Sequence, residues 1–370
     1  MNVLFIHLDN IMMCPPALSA IQILLDLGHN VSVLSYNLDE LPESIKNGVT
    51  VIDLGKRVNP DSVVKKYYLR LEKRMQARSY VKKNYSQYNI LWLTSEISVR
   101  EIGNILLKTK YILQLMEMVN YVPQIGNSKI LQFDIKKFAQ RAYKVVVPEE
   151  NRAHIIKARW ELDELPSILP NKPYNLTMKS ELSEKAKEIV KILKQEKRKI
   201  ILYQGGFTED RRFEEFAEAV DLLGDDYVFY LMGFQNNYCK EILKRYPNVV
   251  YLGALNPPEH LIAAKYAYIG ILTYIPVKAA FYSELNALYC APNKIYEYAL
   301  CGLPMIGTNV LGLKYPFEKY NIGRCCEKLT AKCICDTVHE IEDNYVELRR
   351  NCKKFYNDID MSILMKGILQ

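Results

Sequence analysis

Residues 201–220 read ILYQGGFTEDRRFEEFAEAV, and their order decides the fold. An apolar run ends on two adjacent glycines. A short polar loop then carries two arginines, and an amphipathic stretch with helical spacing follows. This is a strand, a loop and a helix. Gly205 and Gly206, directly after the strand, tolerate positive φ and let backbone approach a ligand closely. Arg211 and Arg212 follow near the start of the helix. A guanidinium is planar and forked and binds two oxygens at once, which suits a diphosphate. One of the two should point toward the ligand.

The same unit recurs along the chain. In the first half, apolar strands are predicted at 2–8, 30–36, 49–54, 89–94, 110–116 and 144–148. In the second they are predicted at 199–204, 227–232, 249–253, 268–274, 304–308 and 322–326. Helical stretches separate most of them. Near-continuous apolar strands alternating with helices imply parallel sheets covered on both faces. The expected class is therefore α/β, with two Rossmann-like, doubly wound parallel-sheet domains facing across a cleft. LPSILPNKPYN (165–175) reads as a stiff proline linker between them. The expected division is 1–170, 171–345, and a C-terminal helical stretch, 346–370, packing back on the first domain. Ligands of such sheets bind beyond the carboxyl ends of the strands.

A second stretch, YCAPNKIYEYALCGLPMIGTN (289–309), reads as loop, helix and strand. Pro292 stops what precedes it, Asn293 is the expected N-cap, and Gly302 with Pro304 ends the helix. A helix N-terminus offers free N–H groups and partial positive charge to a phosphate, and Lys294 adds a full charge. Glu297 lies one turn past Asn293. A carboxylate beside a phosphate site should face something else, and a ribose diol is its natural partner. The plainer alternative is a capped helix with a solvated Lys and Glu.

Composition narrows the rest. The 370 residues are 49% hydrophobic and 25% charged, enough for two cores, and no apolar run is long enough to span a bilayer. MNVLFIHLDN reads as a first strand and not as a signal peptide. Nine scattered cysteines suggest a reducing cytoplasm, and the cluster Cys325, Cys326, Cys333 and Cys335 lacks metal-site spacing. Formal net charge of +7 suits an anionic substrate or membrane surface, and no nucleic-acid motif is present. There is no dinucleotide fingerprint, P-loop or nucleophile elbow. Asp225–Asp226 precedes a strand, so no metal and no other cofactor is expected.

On these stretches the chain resembles the GT-B glycosyltransferases, specifically the retaining family 4 and its capsule and polysaccharide branch. The resemblance is best over 199–313, through YQGGFTEDRR, NVVYLGALNPPEHLIAAKYAYIGILTYIP and APNKIYEYALCGLPMIGTNVLGL, and the ILPNKP linker also matches. It implies that Arg211 binds the nucleotide diphosphate and Glu297 the ribose. It also implies that Ala291, Pro292, Asn293 and Lys294 contact phosphate and sugar. The family pattern departs here at four places. Tyr289 stands where a second Glu is frequent, and Gly206 where an Arg is. Met116–Glu117 stands for a His-Glu pair, and Pro15–Pro16 for a glycine-rich acceptor loop.

On the acceptor side, Glu96, Glu117 and Glu149 stand at predicted strand ends. Glu117 is the first choice to orient or deprotonate an acceptor hydroxyl, the alternative being that it caps a following helix. His7 reads as a buried histidine near a strand end and His260 as the opening of a helix. Residues 65–83, KKYYLRLEKRMQARSYVKK, hold eight basic residues and one acidic residue, with Tyr67, Leu71 and Met75 as the apolar stripe beneath them. They read either as a solvated face or as a patch for anionic lipid or a polyprenyl-diphosphate acceptor.

The expected activity is transfer of a sugar from a UDP-sugar to a hydroxyl of a glycan or lipid-linked acceptor in surface polysaccharide synthesis. It would be metal-independent, with retention, at the inner face of the membrane. Arg211, Lys294 and Glu117 would do the chemical work. The rivals are a sugar-nucleotide epimerase of the same fold and a non-catalytic partner subunit.

Overall fold

Strand Asn2–Asn10 (β1) shows why the sheets form. Val3, Leu4, Phe5 and Ile6 are all fully buried, so both faces of the strand are covered. Each such aliphatic side chain contributes roughly 1.5–3 kcal/mol by leaving water. The computed structural model describes residues 1–58, 61–124, 128–174, 181–277 and 282–370, apart from the side chains at 63, 66 and 209. Asn175 of the linker and the Lys66 side chain lie outside that description. The described residues divide into two units. The first holds those up to 174, with 282–283 and 360–370, and the second holds 181–277 and 284–359.

In the first unit β1 is joined by β2 (Asn30–Tyr36), β3 (Val49–Asp53), β4 (Ile90–Thr94) and β5 (Tyr111–Gln114). A short antiparallel pair, β6 (Val122–Pro123) and β7 (Gln132–Phe133), stands apart. β8 (Lys144–Val147) and β9 (Ser167–Ile168) complete the main sheet, whose order is β3-β2-β1-β4-β5-β8-β9. Every pairing in it is parallel. The first half of the proline linker is therefore the seventh strand and not a free connection. Ser167 and Ile168 pair with Val146 and Val147, and the Leu169 N–H donates to the Val147 carbonyl. Helix Met361–Leu369 belongs to this unit and packs on helix Pro15–Asp26.

The second unit has β10 (Lys199–Gln204), β11 (Tyr227–Met232), β12 (Val249–Gly253), β13 (Ile269–Leu272), β14 (Met305–Thr308) and β15 (Gly323–Cys326). Their order is β12-β11-β10-β13-β14-β15, again all parallel. Helix Tyr345–Asp358 stays with this unit and stacks Phe355 on Tyr296. Each sheet reverses its strand order once, between β1 and β4 and between β10 and β13. In doubly wound sheets that switch point opens the ligand crevice.

Helix Val63–Asn84 differs from its sequence reading. Ser62 caps it by accepting from the Lys65 N–H. Its packed face carries Arg70, Arg74, Ala77, Arg78 and Val81, whereas Tyr67 and Met75 of the expected buried stripe are exposed. Arginine stems bury readily when the guanidinium finds a carboxylate, and Glu101 supplies one.

Candidate active site

At the second unit's switch point, β10 ends on Gln204 and the chain turns through Gly205 at φ +144°. A Cβ there would sit 2.8 Å from the Lys294 ammonium, so only glycine lets the two approach. Gly233, at the end of β11, is held as tightly: its Cβ would lie 2.0 Å from the Gly205 carbonyl oxygen. The Tyr203 hydroxyl donates to the Gly206 carbonyl at 2.6 Å and fixes the loop from below.

Arg211 ends a single helical turn, Glu209–Arg211. Its Nε donates to Asp210 at 2.9 Å, and its guanidinium lies 3.7 Å from the centre of the Tyr274 ring. Burial works against its charge, but Tyr274 and Asp210 outweigh that and raise its pKa. Arg212 instead turns to the surface, where it pairs with Glu214 and Glu215.

Helix Asn293–Leu300 begins beside this arginine. Pro292, and not Asn293, holds the cap position, with extended backbone at φ −73° and ψ 140°. Asn293 is the first helical residue, and proline at the cap position offers no side-chain acceptor. The Ile295 N–H turns back to the Pro292 carbonyl at 3.4 Å, and the helix start presents its partial positive charge to an incoming anion. Gly302 follows the last residues at φ +63°, the left-handed stop read from the sequence. Lys294 lies 5.1 Å from the centre of the Tyr203 ring. Burial, reinforced by the Arg211 charge, pushes its ammonium down from 10.5 to about 7.

Glu297, one turn on, is buried. One carboxylate oxygen is 3.2 Å from His260 Nε2, and the other accepts from Gln204 Nε2 at 3.4 Å. His260 precedes helix Leu261–Tyr266, as read, but its contact with Glu297 was not foreseen. Nothing in the spacing of residues 260 and 297 signals that contact. The aromatic walls Tyr203 and Tyr274 were missed too, because buried tyrosines at strand ends read as ordinary core.

The structure thus brings Gly205, Gly206, Arg211, Lys294 and Glu297 to one strand edge. Two cations meet where one is already pushed toward neutrality. A bound anion would relieve that repulsion, and the carboxylate beyond it can accept from hydroxyls.

The first unit has its own crevice, a cavity of about 240 Å³ beyond the ends of β1, β4 and β5. Glu96 and Glu117 both line it. Glu96 follows Ser95, a non-glycine residue at φ +70° in the turn from β4 into helix Ser95–Ile102. Burial raises the Glu96 carboxyl to about 7, with the Glu117 charge adding to the shift. Glu117 precedes an irregular segment and caps no helix. Glu149 does not line this cavity. Both its oxygens accept N–H groups of helix Glu150–Trp160, from Asn151 and Arg152, so it serves as that helix's cap. His7 is buried with Nδ1 2.7 Å from the Thr94 hydroxyl oxygen, and desolvation lowers it to about 4.

The arginines of helix Val63–Asn84 face this interior. Arg70, Arg74 and Arg100 converge on Glu101. The recurrence of arginine at 70, 74 and 78, one helical stripe, was the available signal. It competes with the expected lipid patch, because these charges are turned inward.

No sequence-family model and no curated protein sequence matches the chain. Solved structures do. A glycosyltransferase from Rickettsia africae superposes with a TM-score of 0.64 at 15% identity, covering 100% of this chain and 96% of the other. Anabaena Alr3699/HepE, in complex with UDP and glucose, gives 0.66 at 12% identity over 100% and 98%. A sucrose-phosphate synthase from Thermosynechococcus elongatus gives 0.67 at 13% identity over 100% and 94%. The chain has the GT-B fold of these glycosyltransferases.

Proposed function

We propose that this protein is a glycosyltransferase that takes a sugar from a UDP-sugar and passes it to an acceptor hydroxyl. The observation that carries this reading is the meeting of Gly205, Arg211 and Lys294 at a helix start whose cap residue is a proline, with Glu297 one turn deeper. The diphosphate lies against Arg211, Lys294 and the first-turn N–H groups around Asn293. Ala291 and Pro292 border the sugar. The ribose hydroxyls donate to Glu297, which His260 and Gln204 hold in place. The fold shared with a protein crystallised with UDP and glucose supports uridine as the base.

In the reaction the acceptor oxygen bonds to the anomeric carbon as that carbon's bond to the diphosphate breaks. Charge grows on the departing diphosphate, and Arg211 and Lys294 stabilise it without recourse to a metal. The hydroxyl proton passes to a base, for which Glu117 with Glu96 beside it is our candidate. Retention of configuration, a hexosyl donor and a role in surface polysaccharide synthesis follow the sequence resemblance and are part of the proposal.

We also place the protein at the inner face of a membrane. No helix among the described residues is long and apolar enough to cross one. The contact surface would be the outer side of helix Val63–Asn84, where Val64, Tyr67, Tyr68 and Met75 are exposed together with Lys65, Lys82 and Lys83.

A melting-temperature panel with UDP-, GDP- and ADP-glucose tests the donor. A ligand that binds only the native state raises the apparent stability. UDP-glucose should shift the wild type and shift Arg211→Ala less. A panel in which no nucleotide sugar moves the transition overturns the reading.

A further inference from the structure

We infer that the first unit's cavity holds an anionic group of the acceptor, a phosphate or diphosphate ester, at its arginine end. This rests on the reading that this unit takes the acceptor. The charges on the cavity wall do not balance. Arg70 donates to one Glu101 oxygen through Nη2 at 2.7 Å and Nε at 3.2 Å. Arg100 donates to the same oxygen at 2.7 and 3.0 Å, and Arg74 takes the other oxygen. Glu101 thus accepts from three guanidiniums at once, with four of the five N–H bonds on a single oxygen. Arg78 completes the group by donating to the carbonyls of Glu101 and Arg100. Three guanidiniums therefore share one carboxylate that is itself buried, with Arg78 on the backbone beside them. Burial, and after it the neighbouring Arg74, lowers the Arg78 pKa. Lys73 lies on the same wall, and among the described residues its ammonium is held only by Gln76, at 3.2 Å.

The cavity is polarised. Tyr282, on its wall, has Glu117 and Glu96 as its strongest electrostatic neighbours. The acidic pair thus stands near Tyr282, whereas Arg70, Arg74 and Arg100 gather at Glu101 with Lys73 on the same wall, which makes that end basic. A hydroxyl suits the first, where carboxylates can accept its proton. A phosphoryl group suits the second, where forked donors match its oxygens. At about 240 Å³ the space fits a small polar head and not a whole glycan. The acceptor class is therefore a phosphorylated one, either a sugar phosphate or a lipid-linked diphosphate.

The probe is inorganic pyrophosphate, titrated by calorimetry into the full chain with UDP already saturating, so that the donor site is closed to it. We expect binding that weakens about tenfold in Lys73→Gln, recovers in Lys73→Arg, and is unchanged in Lys82→Gln on the exposed side of the same helix. Farnesyl diphosphate binding more tightly than pyrophosphate would assign the lipid-linked source, and glucose 6-phosphate doing so would assign the soluble one. No pyrophosphate binding to a UDP-bound chain, or equal loss in Lys73→Gln and Lys82→Gln, overturns the inference and leaves the donor reading intact. Failure of UDP itself to bind overturns the donor reading, and pyrophosphate titrated alone into the wild type and Lys73→Gln still decides this one.

Discussion

Lys294 offers the sharpest quantitative handle on the proposed donor site. Its ammonium is pushed down to about 7 by burial and by Arg211. At pH 8 the free protein would then hold it about nine-tenths neutral. A diphosphate beside it favours the charged form and should return it toward its ordinary 10.5. Binding at pH 8 should therefore take up about 0.9 proton, and at pH 6 about 0.1. Affinity should also fall about fivefold from pH 7 to pH 8, as the free site loses its proton. The full change in protonation is worth on the order of 4–5 kcal/mol, a large part of any nucleotide's affinity. UDP-glucose is the right ligand, because its diphosphate is fully ionised throughout this range. The assay is calorimetric titration at pH 8 in two buffers of different ionisation heat, whose difference counts protons. Lys294→Met should abolish the uptake. His260→Gln is run beside it as a control at the neighbouring side chain. No uptake at pH 8, or uptake unchanged in Lys294→Met, would mean that Lys294 does not gain its proton from a bound diphosphate.

Four further outcomes are expected. Arg211→Ala should lower kcat as well as raise KM, by about tenfold or more in kcat, while Arg212→Ala, on the surface, stays within twofold in steady-state kinetics. Glu297→Ala should raise KM for the donor about tenfold with a smaller change in kcat, and His260→Ala should act in the same direction but less, because it acts through Glu297. Glu96, raised to about 7, keeps its proton in the folded chain after the unfolded chain has lost it near pH 4.5; stability should fall by about 3 kcal/mol between those values, and Glu96→Gln should flatten that part of the pH profile of denaturant unfolding. Glu149→Ala should cost about 1 kcal/mol in the same unfolding measurement, through loss of the cap, without changing transfer.

The strands were legible because a parallel strand buried on both faces must be apolar at every position. β2, β10, β11 and β12 have the limits read from the sequence. β9 was hidden because two residues between prolines carry no periodicity, and their pairing comes only from the neighbouring β8. The residues that gather at the β10 edge were visible because loop glycines, arginines and a lysine at a helix start are local signals. Their partners were not. His260 meets Glu297 across 37 positions of chain, a contact created by tertiary packing alone. Helix Val63–Asn84 was turned the wrong way for a related reason. Hydrophobic periodicity favoured Tyr67, Leu71 and Met75 as the inner stripe, but a buried carboxylate on another helix drew the arginines inward instead. Glu149 shared its strand-end position with Glu96 and Glu117, and only the hydrogen bonds separate a helix cap from a cavity wall.

A crystal structure of the protein with UDP tests the central claim most directly. The diphosphate oxygens are expected within hydrogen-bond distance of Arg211 and Lys294 and above the start of helix Asn293–Leu300, with both ribose hydroxyls on Glu297. UDP bound away from that strand edge, or bound there with its ribose turned from Glu297, would contradict it.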